Sequence, residues 1–388
     1  MRVNVFFLLI ALAPACSDRS LPAYPPARLP ADADIPFYTA RVARDPYGAR
    51  DRAALAALYL ARGRERQDPG DIARAESLAT VSLQLRHRRN ADAVQILVGA
   101  QMAEHRFLDA WHVMRRDGDP GDPIARATLG EIALELGRYQ DADSLFHSLD
   151  LVRTQPGIAP RYARWLELNG QSGEARDLLL ATRATLEHTF GTPPGQLAWF
   201  DLRLGELSLR NGRPDLAGAS YRRGRALVPG DPRLLAASAR LAAAEQDWRQ
   251  AVEFGEAALS ANFEPGTLGL LSDAYAALGD SARSNEYARA MEVALSTQPG
   301  SYHRGWALFL LDHHRQVDRV LAKALDELAT RKDVYGYDVA AWALHQAGRD
   351  AEALAFADSA VSRGTRDPLL YGHRAGILLS LLAIFGTR

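Results

Sequence analysis

The chain has 388 residues, of which 47% are hydrophobic and 24% are charged. This composition is typical of a globular protein with enough apolar material for a core, and it excludes wholesale disorder. The 46 lysines and arginines nearly balance the 47 acidic residues, so the formal net charge is -1. No global basic field is available for sequence-independent nucleic-acid binding, and we expect no nucleic-acid partner.

Residues 1–15 predict a secretory signal peptide. One positive charge precedes an apolar stretch of about eleven residues, and small residues follow it. The stretch is shorter than the roughly twenty residues of a membrane-spanning helix. Cys16, the only cysteine of the chain, follows directly. A single thiol in a secreted chain is free, paired with another chain or chemically used.

The segment 12–16 resembles a bacterial lipobox, with Leu12 four residues before the cysteine where the family usually has it three before. The resemblance implies that Cys16 is acylated and becomes the mature N-terminus. Ordinary signal cleavage and a retained leader are the alternatives. Acylation predicts a lipid anchor in a bacterial cell envelope, facing the periplasm or the cell exterior. By the sorting pattern of enteric lipoproteins, which the segment resembles, Ser17 after the cysteine implies the outer membrane.

Residues 16–36 predict a tether between this lipid and the folded body. Prolines in the segment fix φ and remove amide donors, so we expect an extended, semi-rigid spacer. A polyproline ligand for a partner is the alternative. The folded body is expected over residues 37–388.

The body from about Asp45 onward predicts an all-α protein. Alanine-rich amphipathic stretches alternate with short Gly, Asp and Pro breaks, and no strand-like alternation persists. The sequence also repeats: Gly212 and Gly348 occupy the same place in similar segments and lie 136 positions apart, which is four periods of 34. Ala217 and Ala251 are separated by one such period.

One repeat is the most complete, and its characteristic positions are Leu204, Gly205, Gly212, Ala217, Tyr221 and Pro229. This order of residue types resembles the tetratricopeptide repeat (TPR), a helix-turn-helix unit of 34 residues. The resemblance implies a right-handed α-solenoid of about nine helical hairpins with a concave groove. Small residues at 205 and 217 let the two helices approach closely, and Gly212 adopts the turn conformation.

A final helix is predicted from Pro368 to Phe385. Its second half is nearly all apolar, whereas a helix that caps a solenoid is expected to present polar residues outward. Three interpretations remain open: self-association through this face, a fully packed terminal helix, or the truncated end of a longer repeat array.

No phosphate loop, nucleophile elbow or metalloprotease motif is present in the sequence. We therefore expect a non-catalytic protein without a cofactor or a metal. Since TPR-like solenoids usually bind other proteins, the resemblance implies an interaction scaffold that holds a protein or peptide in its concave groove. Placing the first helix of each unit by the family pattern predicts the groove residues Arg203, Glu206, Arg240, Asp273, Arg304, Asp338 and Trp342.

The histidine-rich region 302–345 suggests an alternative function, an accessory module for a metal or small ligand. His303 and the pair His313 and His314 lie near opposite ends of one predicted helix, roughly 15 Å apart at 1.5 Å per residue. They cannot share one metal unless a neighbouring unit contributes. Surface histidines in a turn are the plainer interpretation.

Overall fold

The structure is a computed structural model that describes residues 31–66, 68–261, 264–297 and 304–386. The predicted signal peptide, the acylation of Cys16 and most of the predicted tether lie outside these residues. Within them the chain forms twenty α-helices and one short 3-10 turn, without any strand. The all-α prediction is confirmed.

The helices follow one another with short connections. The first ten are α1 Ala31–Arg44, α2 Ala49–Arg66, α3 Pro69–Leu85, α4 Ala91–Ala103, α5 Phe107–Asp117, α6 Pro123–Glu135, α7 Tyr139–His147, α8 Ala159–Leu168, α9 Ser172–Glu187 and α10 Pro194–Arg210. The last ten are α11 Pro214–Leu227, α12 Pro232–Ala244, α13 Trp248–Ala261, α14 Pro265–Ala277, α15 Ser281–Thr297, α16 Arg304–Asp312, α17 Val317–Glu327, α18 Val334–Gln346, α19 Asp350–Val361 and α20 Pro368–Gly386.

The helices pair into hairpins, because short polar turns join neighbours that bury one face against each other. Nine such hairpins, from α2/α3 to α18/α19, lie in the described part of the chain, and α20 follows them. Most first helices also contact the first helix of the next hairpin. This is a TPR-like α-solenoid, and the predicted number of hairpins is confirmed.

The hairpin α10/α11 shows how the repeat residues act. Gly212 has φ +67°, the left-handed conformation that glycine adopts without steric cost. A Cβ at Gly205 would overlap the ring of Tyr221, so only glycine permits this close packing. Tyr221 is 2% exposed and packs in a cluster with Leu234 and other residues of the next hairpin. The roles predicted for these positions are confirmed.

The predicted tether is wrong at its C-terminal end, because α1 begins at Ala31 and residues 31–36 are helical. Tertiary contacts outweigh the tendency of Pro36 to interrupt a helix. Ile35 packs against Leu55 of α2, and Asp32 accepts a hydrogen bond from Arg62 at 3.2 Å. An amphipathic segment that can bury one face in this way remains helical despite an internal proline.

Two distant parts of the solenoid touch, which the repeat pattern does not predict. The Lys332 amide donates to the Leu136 carbonyl at 3.3 Å. The Val334 amide donates to the Tyr139 hydroxyl at 2.7 Å, joining residues 195 positions apart. Two distant turns of the superhelix are therefore in contact, since the loop between α17 and α18 packs against the turn between α6 and α7.

A second set of contacts extends this closure by one hairpin. The Thr365 hydroxyl donates to the Leu168 carbonyl at 2.6 Å, and Arg363 pairs with Asp143 at 2.8 Å. We call both sets together the seam. In an open solenoid each repeat contacts only its neighbours. The seam instead closes the expected groove into a channel.

The last helix, α20, packs on α18 and α19 through one face. Ile377 is fully buried and Leu370 is 1% exposed, whereas Leu379 and Leu382 are 67% and 65% exposed. The helix is thus packed on one side and apolar on the other. None of the described helices combines the length and apolar character needed to cross a membrane.

Candidate functional site

The inner surface of the solenoid encloses a channel of about 2520 Å³. The first helices of the hairpins, from α2 to α16, supply most of its wall. The lining is mixed, with aromatic side chains such as Trp199, Trp248 and Phe309 beside charged groups. Small-molecule pockets usually measure about 300–1,000 Å³, so this channel has room for a polypeptide segment.

A ladder of charges follows the repeat along the first helices, and three of its five members line the channel. Each of five consecutive hairpins carries a charged residue six positions before its left-handed turn residue. These charge-ladder residues are Glu131, Arg164, Glu206, Arg240 and Asp273. Their signs alternate, and each lies on a first helix. The repeat register therefore places opposite charges at regular steps along the first helices. Glu131, Arg240 and Asp273 line the channel, whereas Arg164 and Glu206 do not.

Four members of the charge ladder have partners on or near their own helices. Glu131 pairs with Arg161 at 2.8 Å, and Asp273 pairs with His313 at 2.8 Å. Arg240 differs, because it is exposed, lines the channel and makes no hydrogen bond or ion pair to another described residue. Burial raises the pKa of Asp273, although His313 acts in the opposite direction. Arg240 is the ladder charge most accessible to a partner.

Arg164 and Glu206 each form an ion pair with a side chain of their own helix. Glu167 is 5% exposed and lies between Arg164 at 3.1 Å and Arg210 at 2.6 Å. Although burial opposes this effect, Arg210 and Arg164 lower the pKa of Glu167 to about 2. Glu206 pairs with Arg203 at 2.6 Å. Burial also opposes ionisation of Glu206, but Arg203 and its neighbours lower its pKa.

Two of the predicted groove residues are instead part of the packing between hairpins. Asp338 is 1% exposed and binds both Arg304 at 2.9 Å and His373 at 2.8 Å. The Trp342 indole donates to Asp312 at 2.7 Å and stacks on His373 with ring centroids 4.3 Å apart. Trp342 lies six positions before the turn residue Gly348, as the ladder residues do before theirs, but α20 packs against this part of the solenoid.

A second, smaller cavity of about 590 Å³ lies beside the seam, and we call it the seam cavity. Side chains of α6, α8 and α10 form one wall, and α16, α17 and the start of α18 form the other. It shares lining residues His105, Glu131 and Trp199 with the channel. The predicted residues Arg203 and Arg304 line this cavity.

Several residues of the seam cavity were not predicted as site residues. They are Arg164, Arg210, Arg331, Asp333 and Tyr335. A signal was present for one of them, because extending the register of Glu206 and Arg240 upstream gives Arg164. Arg331 and Asp333 come from a loop between hairpins, and the 34-residue period says nothing about where such a loop folds.

The histidine-rich region does not assemble a metal site in the described residues, since no three metal-ligating side chains come together there. His345 pairs with Asp350 at 2.5 Å, and His313 is engaged with Asp273. His303 lies outside the described residues. His313 and His345 therefore each contact a different carboxylate.

No protein-family model matches the sequence, and no curated protein matches it. Among solved structures, PilW, a widely conserved type IV pilus biogenesis factor, is 20% identical, and the match covers 55% of this chain and 96% of PilW with a TM-score of 0.44. Pseudomonas aeruginosa PilF is 17% identical, with coverages of 54% and 93% and a TM-score of 0.42. The human IFIT1 dimer with PPP-AAAA is 13% identical, with coverages of 85% and 94% and a TM-score of 0.46. At these low scores the fold assignment rests on the hairpins of this chain alone.

Proposed function

We propose that this protein is a non-catalytic interaction scaffold, tethered to a bacterial envelope membrane, that binds an extended segment of a protein partner in its channel. The observation that carries this proposal is the channel of about 2520 Å³, whose wall holds Glu131, Arg240 and Asp273, three members of the charge ladder. Charges at a constant register suit a ligand that is itself a repeating chain. Alternating signs favour a segment with both acidic and basic side chains.

Arg240 is the residue on which this proposal is tested most directly. Its guanidinium is exposed in the channel and can form paired hydrogen bonds with a carboxylate of the partner. Aromatic neighbours such as Trp248 offer the apolar contact area that protein interfaces use. A charge reversal here should leave the helix packing largely intact, because Arg240 makes no hydrogen bond or ion pair to another described residue and only its charge acts on Glu206.

The test places a photo-crosslinking amino acid at position 240 in cells that express the full chain. A matched probe at position 222 lies on α11, a second helix, where Arg222 is exposed and lines neither cavity. We expect a discrete crosslinked protein from position 240 and none from position 222. Arg240→Glu should weaken binding of that protein at least tenfold, whereas Arg222→Glu should not. Equal crosslinking at both positions contradicts the channel assignment.

The membrane tether is tested separately. Intact mass and membrane fractionation of the native protein are compared with those of a Cys16→Ser variant. We expect the native protein to carry a lipid mass and to sediment with membranes, and the variant to be released. A soluble, unlipidated native protein would remove the anchor and leave only the repeat-built binding module.

A further inference from the structure

The seam cavity concentrates buried polar atoms that lack partners. Three side-chain atoms on its wall make no hydrogen bond to another described residue, namely Arg210 Nη2, Arg304 Nε and Tyr335 Oη, and Asp333 Oδ2 has only an ion pair with Arg331 at 3.4 Å. Asp333 is only 4% exposed, so water does not reach it freely. Buried polar groups are normally hydrogen-bonded, since an unpaired one loses its contact with water without compensation. Three unpaired atoms in one cavity indicate a place that a polar ligand completes.

The charge of the cavity indicates the sign of that ligand. Its wall carries six cationic and four acidic side chains, namely Arg164, Arg203, Arg210, Arg304, Lys323 and Arg331 against Glu131, Glu135, Glu327 and Asp333. Burial raises the pKa of Glu135, against the effect of Arg164, and burial likewise raises the pKa of Asp333, against that of Arg331. Both shifts oppose ionisation of these acids. Behind the wall, Glu167, Glu206 and Asp338 pair with four of the arginines and offset part of the positive charge, so the unpaired guanidinium nitrogens are what an anion would meet.

The orientation of the donors is fixed by packing. The guanidinium carbons of Arg164 and Arg304 lie over the Tyr335 ring, 5.2 and 4.5 Å from its centroid. Arg210 is held by Glu167 at 2.6 Å, which occupies Nε and leaves Nη2 without a partner. Arg304 is held by Asp338 through Nη2, which leaves Nε without a partner. Arg210 and Arg304 are therefore both anchored by carboxylates, Arg304 also by Asp367 at 3.7 Å, while one nitrogen of each stays unpaired.

We propose that the seam cavity binds a small organic anion with carboxylate or phosphate groups, held by Arg210, Arg304 and the hydroxyl of Tyr335. Guanidinium groups recognise both kinds of anion through paired N–H donors. The volume of about 590 Å³ fits a metabolite-sized molecule. Because α18 and its preceding loop supply Asp333 and Tyr335 at the seam, the bound anion also stabilises the closed superhelix.

The test is calorimetric titration of the purified full chain with succinate and, separately, with inorganic phosphate at physiological ionic strength. We expect saturable binding of at least one probe at millimolar concentration or below, and the tighter probe identifies the chemical source. Tyr335→Phe should weaken binding about tenfold, because it removes one hydrogen bond to a charged group. The thermal stability of the free protein should change little, because the hydroxyl makes no well-aligned hydrogen bond to another described residue and the Arg164 guanidinium keeps its contact with the ring.

Tyr337→Phe is the matched control, because Tyr337 lies on the same helix and outside the cavity wall. The affinity of the Tyr337→Phe variant for the anion probe should equal that of the native protein. Arg210→Gln should abolish binding, and circular dichroism shows whether it folds. Lack of saturable binding of both probes up to about 10 mM, or unchanged affinity in Tyr335→Phe, overturns the proposal. Neither result affects the proposed partner binding, which is measured at Arg240 in the channel.

Discussion

Two turns of the solenoid have the same local structure and different surroundings. Gly137 in the α6/α7 turn has φ +71°, and Gly212 in the α10/α11 turn has φ +67°. At Gly212 no described atom lies within 4 Å of the place where a Cβ would stand. At Gly137 that Cβ would overlap the backbone of Lys332 and Asp333. The repeat sets the conformation of a turn, whereas the superhelix decides which turn forms the seam.

The largest effect is expected when this difference is tested with alanine. Gly212→Ala carries only the cost of a left-handed non-glycine residue, about 1 kcal/mol. Gly137→Ala carries the same cost and also overlaps the backbone of the α17/α18 loop, so we expect a loss of about 4 kcal/mol in the free energy of unfolding. Denaturant unfolding of both variants gives the two values.

Hydrogen exchange locates the loss. In Gly137→Ala the Lys332 amide, which donates to the Leu136 carbonyl at 3.3 Å, should exchange faster, and in Gly212→Ala it should not. Equal losses in the two variants would show that the seam is not formed in solution.

Glu167 tests the packing between consecutive hairpins, because it joins Arg164 of α8 to Arg210 of α10. Its pKa falls from 4.5 to about 2, which corresponds to roughly 3 kcal/mol of stability. Because the folded pKa lies below the unfolded one, this stability is complete above about pH 4.5 and is lost as the pH falls towards 2. Glu167→Gln should therefore be destabilised by roughly that amount at pH 7, and the deficit should shrink with acidification.

Unfolding curves at several pH values measure this dependence. Glu174→Gln is the control, because Glu174 is exposed and its loss should change stability little at any pH. A deficit in Glu167→Gln that does not change with pH would contradict the assigned ion pairs.

Much of the fold was predictable because it depends on local signals. The 34-residue period, the turn glycines and the small residues such as Gly205 and Ala217 specify hairpins and their packing on neighbours. The charge ladder was partly predictable for the same reason, since Glu206 and Arg240 share one register. Nothing in the period encodes that residues 195 positions apart meet, as Tyr139 and Val334 do. The seam cavity therefore had to be found in three dimensions.

Tyr139→Phe tests one hydrogen bond of the seam. The Val334 amide is buried and donates to the Tyr139 hydroxyl at 2.7 Å, so the substitution leaves a buried donor unpaired. We expect a loss of about 1–2 kcal/mol in the free energy of unfolding and faster exchange of the Val334 amide. Tyr47→Phe, at a residue that is 82% exposed, should change neither quantity. Unchanged exchange at Val334 would argue against this contact.

The smallest effect is expected at a turn that lacks glycine. Gln246 between α12 and α13 has φ +60°, in the place that Gly212 occupies one hairpin earlier. Glycine at this position relieves about 1–2 kcal/mol of left-handed strain in the folded state. It also stabilises the unfolded state by up to about 1 kcal/mol, because the unfolded chain gains conformational entropy. Gln246→Gly should therefore raise the free energy of unfolding by about 0.5 kcal/mol.

Glu253→Gly, inside α13 where φ is helical, is the matched control and should lower the free energy of unfolding by about 1 kcal/mol. Opposite signs from the same kind of substitution would show that backbone conformation decides the effect. A loss at both positions would mean that the Gln246 side chain stabilises its turn by more than the strain costs. The same conformation would then be maintained by different forces in neighbouring hairpins.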